Sequence, residues 1–252
     1  MDHVVCIVAV APIRKESSHR SEIMTEILLG EFAWVLEETK DFIKIKCVYD
    51  GYEGWCQKSQ LEKVSEMIDT NTFLIEEIGK IEVNDQLCRI SCATPIFANR
   101  PVDFGRFHFD YKNSEARNAG TAIFSEDNIK SIAFKFLNTP YLWGGKSVFG
   151  IDCSGFTQQV FKLFNIKLER DAYQQAEQGE VVGFLQEANC GDLAFFDNEE
   201  GKIIHVGILL DNETIIHASG KVRIDKIDNA GIINSDTGER THKLRIIKRY
   251  HP

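Results

Sequence analysis

The chain has 252 residues, of which 43% are hydrophobic and 27% are charged, an ordinary composition for a folded globular protein. Its formal net charge of -9 argues against nucleic acid as a partner, because nucleic-acid binding needs a basic surface. No apolar run approaches the ~20 residues that cross a bilayer, and nothing near the N-terminus resembles an export signal. We therefore expect a cytoplasmic protein that makes no membrane contact.

The seven cysteines do not suggest a disulfide framework, because their number is odd and no export signal is evident. No pair of C-x-x-C motifs has the spacing of a zinc site, and we expect neither a metal nor another cofactor. Most of the cysteines are expected to be small buried hydrophobic residues, namely Cys6, Cys47, Cys56, Cys88 and Cys92.

Residues 1–64 predict a small β-barrel, since short stretches of strand-forming residues alternate with turn signals. Residues 43–48 alternate apolar and polar side chains as a half-buried strand does, and Asp50-Gly51 is a turn signal after them. Residues 65–122 show a weaker pattern of strands and turns than residues 1–64 do. From it we predict a second small β module.

Residues 123–252 predict a domain of the α+β class, in which helices come first and a run of antiparallel strands follows. The sequence predicts a helix over 127–137, a second helix after Asp152 and a short polar helix over 172–178. The later strands are predicted at 192–196, 203–210, 214–217, 222–227 and 244–250.

Cys153 follows a glycine-containing loop and stands where a helix begins. The free N–H groups and partial positive charge of a helix N-terminus lower a thiol pKa, so this position favours a reactive thiolate. The same N–H groups can receive an oxyanion. A cysteine at a helix start is more often inert than catalytic, so a catalytic role needs support from other residues.

A thiolate nucleophile needs a histidine that takes its proton and later protonates the leaving amine. His205 and His217 lie in adjacent predicted strands joined by a turn at Asp211-Asn212, and the two-residue period of strands lets their imidazoles lie side by side. One is then the base and the other its orienting partner. Two other interpretations stay open, namely core histidines held by hydrogen bonds and a zinc site that includes Cys153.

Five segments carry a resemblance to a known enzyme family: 139–145 (TPYLWGG), 150–156 (GIDCSGF), 191–196 (GDLAFF), 205–208 (HVGI) and 216–219 (IHAS). On these segments, residues 129–250 resemble the NlpC/P60 family of papain-like cysteine peptidases. The resemblance implies that Cys153 is the nucleophile, His205 the base and His217 the third, orienting residue. It also implies that the hydroxyl of Tyr141 lies near the oxyanion, with packing of its loop as the alternative role.

The segments 41–45 (DFIKI) and 51–55 (GYEGW) resemble bacterial SH3-like domains. Domain order and length are similar to those of the γ-D-glutamyl-L-diamino acid peptidases, also called dipeptidyl-peptidase VI. The implied architecture is a pair of SH3-like β-barrel modules, 1–64 and 65–122, ahead of a papain-like NlpC/P60 catalytic domain at 123–252. In such enzymes the first module closes one end of the cleft, which implies small murein peptides with a free N-terminal L-alanine as substrates.

A buried ammonium group needs a carboxylate and further acceptors. Asp152 and Ser154, beside the nucleophile, are predicted to supply them, with simple helix capping as the alternative role of Asp152. By the resemblance, Tyr52 of the first module is predicted to contact the substrate as well, together with an acidic residue within residues 21–26, for which Glu22 is chosen. The alternative is that these side chains lie on the solvated surface of the barrel and bind nothing.

Arg170 and Asp171 are predicted to face the glutamate carboxylate, with a surface ion pair as the alternative. The expected role is the recycling of wall peptides in the cytoplasm, where a free thiolate persists more easily. Three other functions stay open: a secreted hydrolase of polymeric peptidoglycan, a catalytically silent wall-binding module, and acyl transfer through the same acyl-enzyme. The sequence predicts no oligomeric state.

Overall fold

The computed structural model describes residues 2–97, 101–111 and 114–251. The chain divides into two compact units. The first unit holds residues 1–122 together with 142–149, and the second holds residues 123–141 together with 150–252. Strands make up 45% of the chain and helices 14%, so β structure dominates.

The strands of the first unit are short and pair mainly as antiparallel neighbours. They are β1 (His3–Cys6), β2 (Val10–Arg14), β3 (Ile23–Leu28), β4 (Phe32–Glu38), β5 (Phe42–Cys47), β6 (Glu53–Gln57), β7 (Leu61–Val64), β8 (Thr72–Leu74), β9 (Ile78–Val83), β10 (Gln86–Ser91), β11 (Val102–Phe104), β12 (Phe107–Asp110), β13 (Ala116–Asn118) and β14 (Lys146–Ser147). Short 3-10 helices cover Lys58–Gln60 and Ala119–Thr121.

Seven of these strands form one sheet in the order β3-β2-β6-β5-β4-β1-β7. The predicted alternation is found in β5, where Ile43, Ile45 and Cys47 are buried. The predicted turn after it contains Gly51 with a φ of +73°, a conformation that glycine adopts without strain. All seven strands place apolar side chains in one core cluster, so the sheet curls around that core as a small barrel does.

The strands after β7 share a core with the barrel strands. β9 and β10 form a hairpin whose turn residues, Asn84 and Asp85, have φ values of 48° and 61°, as a type I′ turn requires. One buried cluster joins Phe32 of the barrel to Phe104 and Phe109 of the later strands. The predicted modules 1–64 and 65–122 therefore form a single unit. Of the five cysteines expected to be buried, four are, and Cys88 is only half-buried.

Residues 142–149 belong to the first unit, although the sequence assigns them to the domain at 123–252. Their attachment depends on Lys146, whose side chain is 1% exposed and whose Nζ lies 3.5 Å from Oδ2 of Asp50 and 4.0 Å from Oε2 of Glu31. The backbone N–H of Lys146 donates to Oε2 of Glu26 over 2.8 Å. A buried ammonium group requires such carboxylates, so charge pairing holds this segment to the first unit.

The second unit begins with helices and continues into strands. The helices are α1 (Glu126–Ala133), α2 (Cys153–Lys162) and α3 (Ala172–Gln175), with 3-10 helices at Phe134–Phe136 and Leu185–Glu187. The strands are β15 (Gly150–Ile151), β16 (Glu180–Val182), β17 (Leu193–Asp197), β18 (Ile203–Leu209), β19 (Thr214–Ser219), β20 (Lys221–Asp228), β21 (Gly231–Ile233) and β22 (Arg240–Arg249).

Six strands of the second unit, β17 to β22, close into an antiparallel barrel. The sheet order is β16-β22-β17-β18-β19-β20-β21, and β21 pairs back to β22. The first half of β22 pairs with β21 and its last residues pair with β16, so this one long strand is hydrogen-bonded to both. Each of the six strands contributes to one apolar cluster, which fills the barrel interior.

The predicted α+β pattern is confirmed in part, because helices precede the strands but the strands dominate and close into a barrel. The five predicted strands are present as β17, β18, β19, β20 and β22. The sequence missed β21, whose three residues are too few to show an alternation, and the polar start of β22. Within the residues that the structure describes, no helix has the length and hydrophobicity that crossing a bilayer requires.

We expect Lys146→Met to destabilise the first unit by about 3–5 kcal/mol, because it leaves the carboxylates of Asp50 and Glu31 in a buried site without the ammonium group. Urea unfolding followed by tryptophan fluorescence measures the change, since all three tryptophans lie in the first unit.

The matched control is Lys46→Met, which removes an exposed lysine paired with an exposed Glu53 and is expected to change stability by less than about 0.5 kcal/mol. Equal unfolding midpoints for the two variants would contradict the role assigned to Lys146.

Candidate active site

Cys153 is the first residue of α2, as the sequence predicts. The preceding Asp152 has extended backbone geometry, and its Oδ1 accepts a hydrogen bond from the N–H of Gly155 over 2.7 Å. Asp152 is therefore the N-cap that ends the loop and starts the helix. Because α2 is buried along its whole length, the sulfur of Cys153 lies at a fixed helix end.

The sulfur of Cys153 receives N–H groups from its own helix and from β18. These belong to Ser154 and to Val206, the residue after His205, and both lower the thiol pKa. Burial acts in the opposite direction and, together with the Asp152 carboxylate, raises the pKa of Cys153 to about 12. This differs from the expectation of a lowered pKa at the helix end. The thiol holds its proton in the free protein, so a thiolate forms only when a base takes that proton.

His205 and His217 are hydrogen-bonded to each other, with 2.8 Å between Nε2 of His205 and Nδ1 of His217. Strand register explains the contact, because Gly207 pairs with His217 and His205 lies two residues from Gly207, on the same face of the sheet. Burial, followed by the nearby His217 and His242, lowers the pKa of His205 well below its usual value. His205 is therefore a neutral imidazole, able to accept a proton.

Asp225 of β20 holds the far side of His217. Its Oδ2 lies 2.9 Å from Nε2 of His217, while Arg223 binds both carboxylate oxygens over 2.7 and 2.9 Å. The N–H of Ser235 donates to Oδ1 over 2.8 Å. Burial raises the pKa of this carboxyl, but the hydrogen bonds from His217, Arg223 and Ser235 outweigh it and leave the pKa well below the usual range. Asp225 is thus an anion.

His242 of β22 covers one face of the His205 ring, with 4.1 Å between ring centroids and 25° between planes. Burial lowers the pKa of His242 to about 4, so this neighbour is neutral as well. Neither Asp225 nor His242 is among the site residues predicted from the sequence. The sequence offers a signal for Asp225, because this residue lies in a strand predicted beside that of His217. It offers none for His242, which precedes the predicted start of its strand.

Arg170 is buried against the start of α2, with 1% of the residue exposed. Its guanidinium donates to Oδ1 and Oδ2 of Asp152 over 3.0 and 2.7 Å and to Oγ of Ser154 over 2.9 Å. The surface ion pair does not match this position, because the guanidinium is buried and faces Asp152 inside the unit. Its contact with a substrate carboxylate stays a prediction. Asp171 is the N-cap of α3, where its N–H bonds to Oε1 of Gln174.

Tyr141 lies beside the start of α2, where it forms a parallel bridge with Ile151. Burial, followed by the charges of Cys153 and Asp152, raises the pKa of the Tyr141 hydroxyl above its usual value. The hydroxyl therefore keeps its proton and can act as a hydrogen-bond donor.

Glu22 and Tyr52, the other predicted substrate contacts, belong to the first unit. Glu22 is exposed, and its Oε1 accepts a hydrogen bond from Nε1 of Trp143 over 3.0 Å. Tyr52 lies in the turn between β5 and β6, where its N–H donates to Oδ1 of Asp50 over 3.1 Å. Their contact with a substrate stays a prediction.

Comparison with known proteins places the chain in a family. A model of the NlpC/P60 family matches residues 138–241, and a model of the bacterial dipeptidyl-peptidase SH3 domain matches residues 13–61. A γ-D-glutamyl-L-lysine dipeptidyl-peptidase of Bacillus subtilis (strain 168) is 34% identical over 221 residues, which is 78% of this chain and 72% of the relative. The chain belongs to the NlpC/P60 family.

This NlpC/P60 chain is a cysteine peptidase. A further relative, dipeptidyl-peptidase 6 of Lysinibacillus sphaericus, is 25% identical over 262 residues, which is 90% of this chain and 92% of that protein. The SH3-domain match falls within β2 to β7, the strands that the sequence assigned to an SH3-like barrel.

Two solved structures share the fold of the NlpC/P60 chain over nearly its whole length. An NlpC/P60 family protein from Bacillus cereus has a TM-score of 0.81 at 20% identity and covers 99% of this chain and 100% of its own. An NlpC/P60 endopeptidase from Photobacterium damselae subsp. piscicida has a TM-score of 0.74 at 15% identity, over 97% of this chain and 70% of its own. At these identities the likeness shows the fold alone.

We expect Gly207→Ala to lower the peptidase rate by about 10²-fold, because a Cβ at position 207 would lie 2.8 Å from Cβ of His217 and displace its ring. Steady-state turnover measures the loss, with circular dichroism as the check on folding.

Gly183→Ala is the matched control in the same unit, since its nearest atom would be Oε2 of Glu187 at an ordinary 3.6 Å. Equal turnover of the two folded variants would show that the Gly207–His217 spacing does not matter.

Proposed function

We propose that this NlpC/P60 peptidase hydrolyses the γ-D-glutamyl–L-diamino acid bond of small murein peptides with a free N-terminal L-alanine. One observation carries the chemistry, namely a cysteine at a buried helix N-terminus that receives the N–H of Val206, the residue after His205, whose ring is hydrogen-bonded to that of His217. A helix-borne cysteine next to strand-borne histidines also supports the papain-like arrangement expected from the sequence.

Cys153 is the nucleophile and His205 its base. The thiol proton moves to His205, the thiolate attacks the γ-carbonyl carbon of glutamate, and the carbonyl oxygen becomes an oxyanion. The Tyr141 hydroxyl and the backbone N–H groups at the start of α2 are the donors proposed for that oxyanion. As the C–N bond breaks, the imidazolium of His205 protonates the departing amine, and a thioester remains on Cys153.

Hydrolysis then restores the enzyme. A water molecule gives a proton to His205 and attacks the thioester carbonyl, and the returning proton converts the leaving thiolate of Cys153 to the thiol. His217 keeps the His205 ring in place throughout, through the hydrogen bond of 2.8 Å. If an amine instead of water attacked the thioester, the same site would catalyse acyl transfer.

The substrate class follows from the named relatives. A dipeptidyl-peptidase releases two residues from a free N-terminus, so it has to recognise an ammonium group at a fixed distance from the bond that it cuts. Asp152, next to the nucleophile, is the proposed anion, and Ser154 adds an acceptor. Arg170, bound to both oxygens of Asp152, holds this carboxylate in place.

Recycling of wall peptides in the cytoplasm is the proposed setting, because small free peptides are the substrates that a site selective for the free amine would use. A secreted hydrolase would instead have to accept stem peptides whose L-alanine amine is blocked by its link to the glycan. Selectivity for the free amine therefore separates the two functions.

The test is cleavage of L-Ala-γ-D-Glu-L-Lys and L-Ala-γ-D-Glu-meso-diaminopimelate, each with its N-acetylated form, analysed by mass spectrometry. We expect release of L-Ala-D-Glu from the free-amine peptides at a rate at least about 10²-fold above that from the acetylated forms, because only a free ammonium pairs with the carboxylate.

Cys153→Ala should remove turnover while the circular dichroism spectrum is kept. Equal cleavage of free and acetylated peptides would refute amine recognition, and release of peptides from polymeric peptidoglycan would favour the wall hydrolase. An inactive wild-type protein would favour the silent binding module.

A further inference from the structure

The hydrogen-bond chain that starts at His205 does not end at His217 but continues to a buried carboxylate. Asp225 is 2% exposed, and both of its oxygens meet fixed N–H donors. Oδ2 accepts from Nε of Arg223 over 2.7 Å, and Oδ1 accepts from Nη2 of Arg223 over 2.9 Å and from the N–H of Ser235 over 2.8 Å. These donors, with the guanidinium of Arg223 bound to both oxygens, keep the carboxyl ionised, so it is an acceptor only.

This acceptor determines where the histidines carry their protons. Nε2 of His217 lies 2.9 Å from Oδ2 of Asp225, so this nitrogen carries the hydrogen and Nδ1 of His217 has the lone pair. That lone pair lies 2.8 Å from Nε2 of His205, which therefore carries the hydrogen of the second ring. The nitrogen of His205 that remains unprotonated is Nδ1.

We propose that Asp225 is a positioning residue that sets the tautomers of His217 and His205, so that Nδ1 of His205 is free to take the thiol proton of Cys153. The inference rests on the proposed roles of Cys153 and His205. When His205 becomes an imidazolium, the carboxylate at the end of the chain also offsets its charge. His242, neutral and stacked on His205, adds no positive charge to the pair.

Asp225→Asn is a sharp test, because the surroundings dictate how the amide lies. On the Oδ1 side its NH2 group would face two fixed donors, Ser235 and Arg223. On the Oδ2 side it would face only one fixed donor, Nε of Arg223, and the ring of His217, which can become an acceptor. The amide NH2 therefore points to His217. That ring then donates from Nδ1 to His205, and His205 is left with its hydrogen on Nδ1.

We expect Asp225→Asn to lower kcat by on the order of 10³–10⁴-fold with KM changed less than about twofold, the loss known for a histidine base held in the wrong tautomer. The matched control is Asp228→Asn on the same strand. Asp228 also binds an arginine, with Nη2 of Arg240 2.8 Å from Oδ2, but it is 47% exposed and lies at the far end of β20. The control should keep kcat within about twofold of the wild type.

The decisive readout is the ¹⁵N spectrum of histidine-labelled protein, assigned with His205→Gln and His217→Gln variants. In the wild type, His205 and His217 should both carry their hydrogen on Nε2, and in Asp225→Asn both should carry it on Nδ1. Alkylation of Cys153 by iodoacetamide, followed by mass spectrometry of its peptide, should slow at least about tenfold in Asp225→Asn and not in Asp228→Asn. A wild-type His205 with its hydrogen on Nδ1 would overturn the inference without any variant.

Unchanged tautomers in a folded Asp225→Asn would also overturn it, whatever happens to kcat, because the residue would then act only through stability. The spectra and the alkylation rates require no peptide. A wild-type protein that cleaves none of the murein peptides would therefore refute the proposed substrate and leave the test of Asp225 intact.

Discussion

The active site depends on one hydrogen bond between two imidazoles, 2.8 Å long, that spans β18 and β19. The bond exists because Gly207 pairs with His217, which brings His205 and His217 to one face, and because Gly207 has no side chain to separate them. A register slip of one residue would turn one ring to the opposite face. Closure of the barrel opposes such a slip, since β17 to β22 each pair with two neighbours.

Burial shapes the chemistry of Cys153 and His205. It raises the pKa of Cys153 and lowers that of His205, so both groups are neutral before the substrate arrives. A thiolate formed there is stabilised by fixed N–H groups, those of Ser154 and Val206, which need no rearrangement when charge develops. The helix N-terminus thus acts on the charged form of the sulfur, while burial keeps the resting form uncharged. The sequence motif predicts the first effect, and the second appears only when the fold surrounds the sulfur.

The sequence predicts the parts of the site that are local and misses those that depend on register or closure. The loop and cap before Cys153 predict its position at a helix start. The two-residue period of a hairpin predicts that His205 and His217 lie side by side. Asp225 becomes a partner of His217 only through the pairing of β19 with β20, and His242 only through the strand that closes the barrel. In the same way, nothing local in residues 142–149 marks Lys146 as the ammonium group that joins them to the first unit.

Two buried aspartates hold the two halves of the constellation, and each is bound by an arginine through both of its oxygens. Asp152 with Arg170 fixes the start of α2 under Cys153, and Asp225 with Arg223 fixes the end of the histidine chain. A carboxylate buried without such a partner would favour its protonated form, and a protonated Asp225 would lose the acceptor on which the histidine chain depends. Each pair thus supplies an acceptor at a defined atom. Arg223 therefore helps to keep Asp225 ionised, and the ionised Asp225 is the acceptor at the end of the histidine chain.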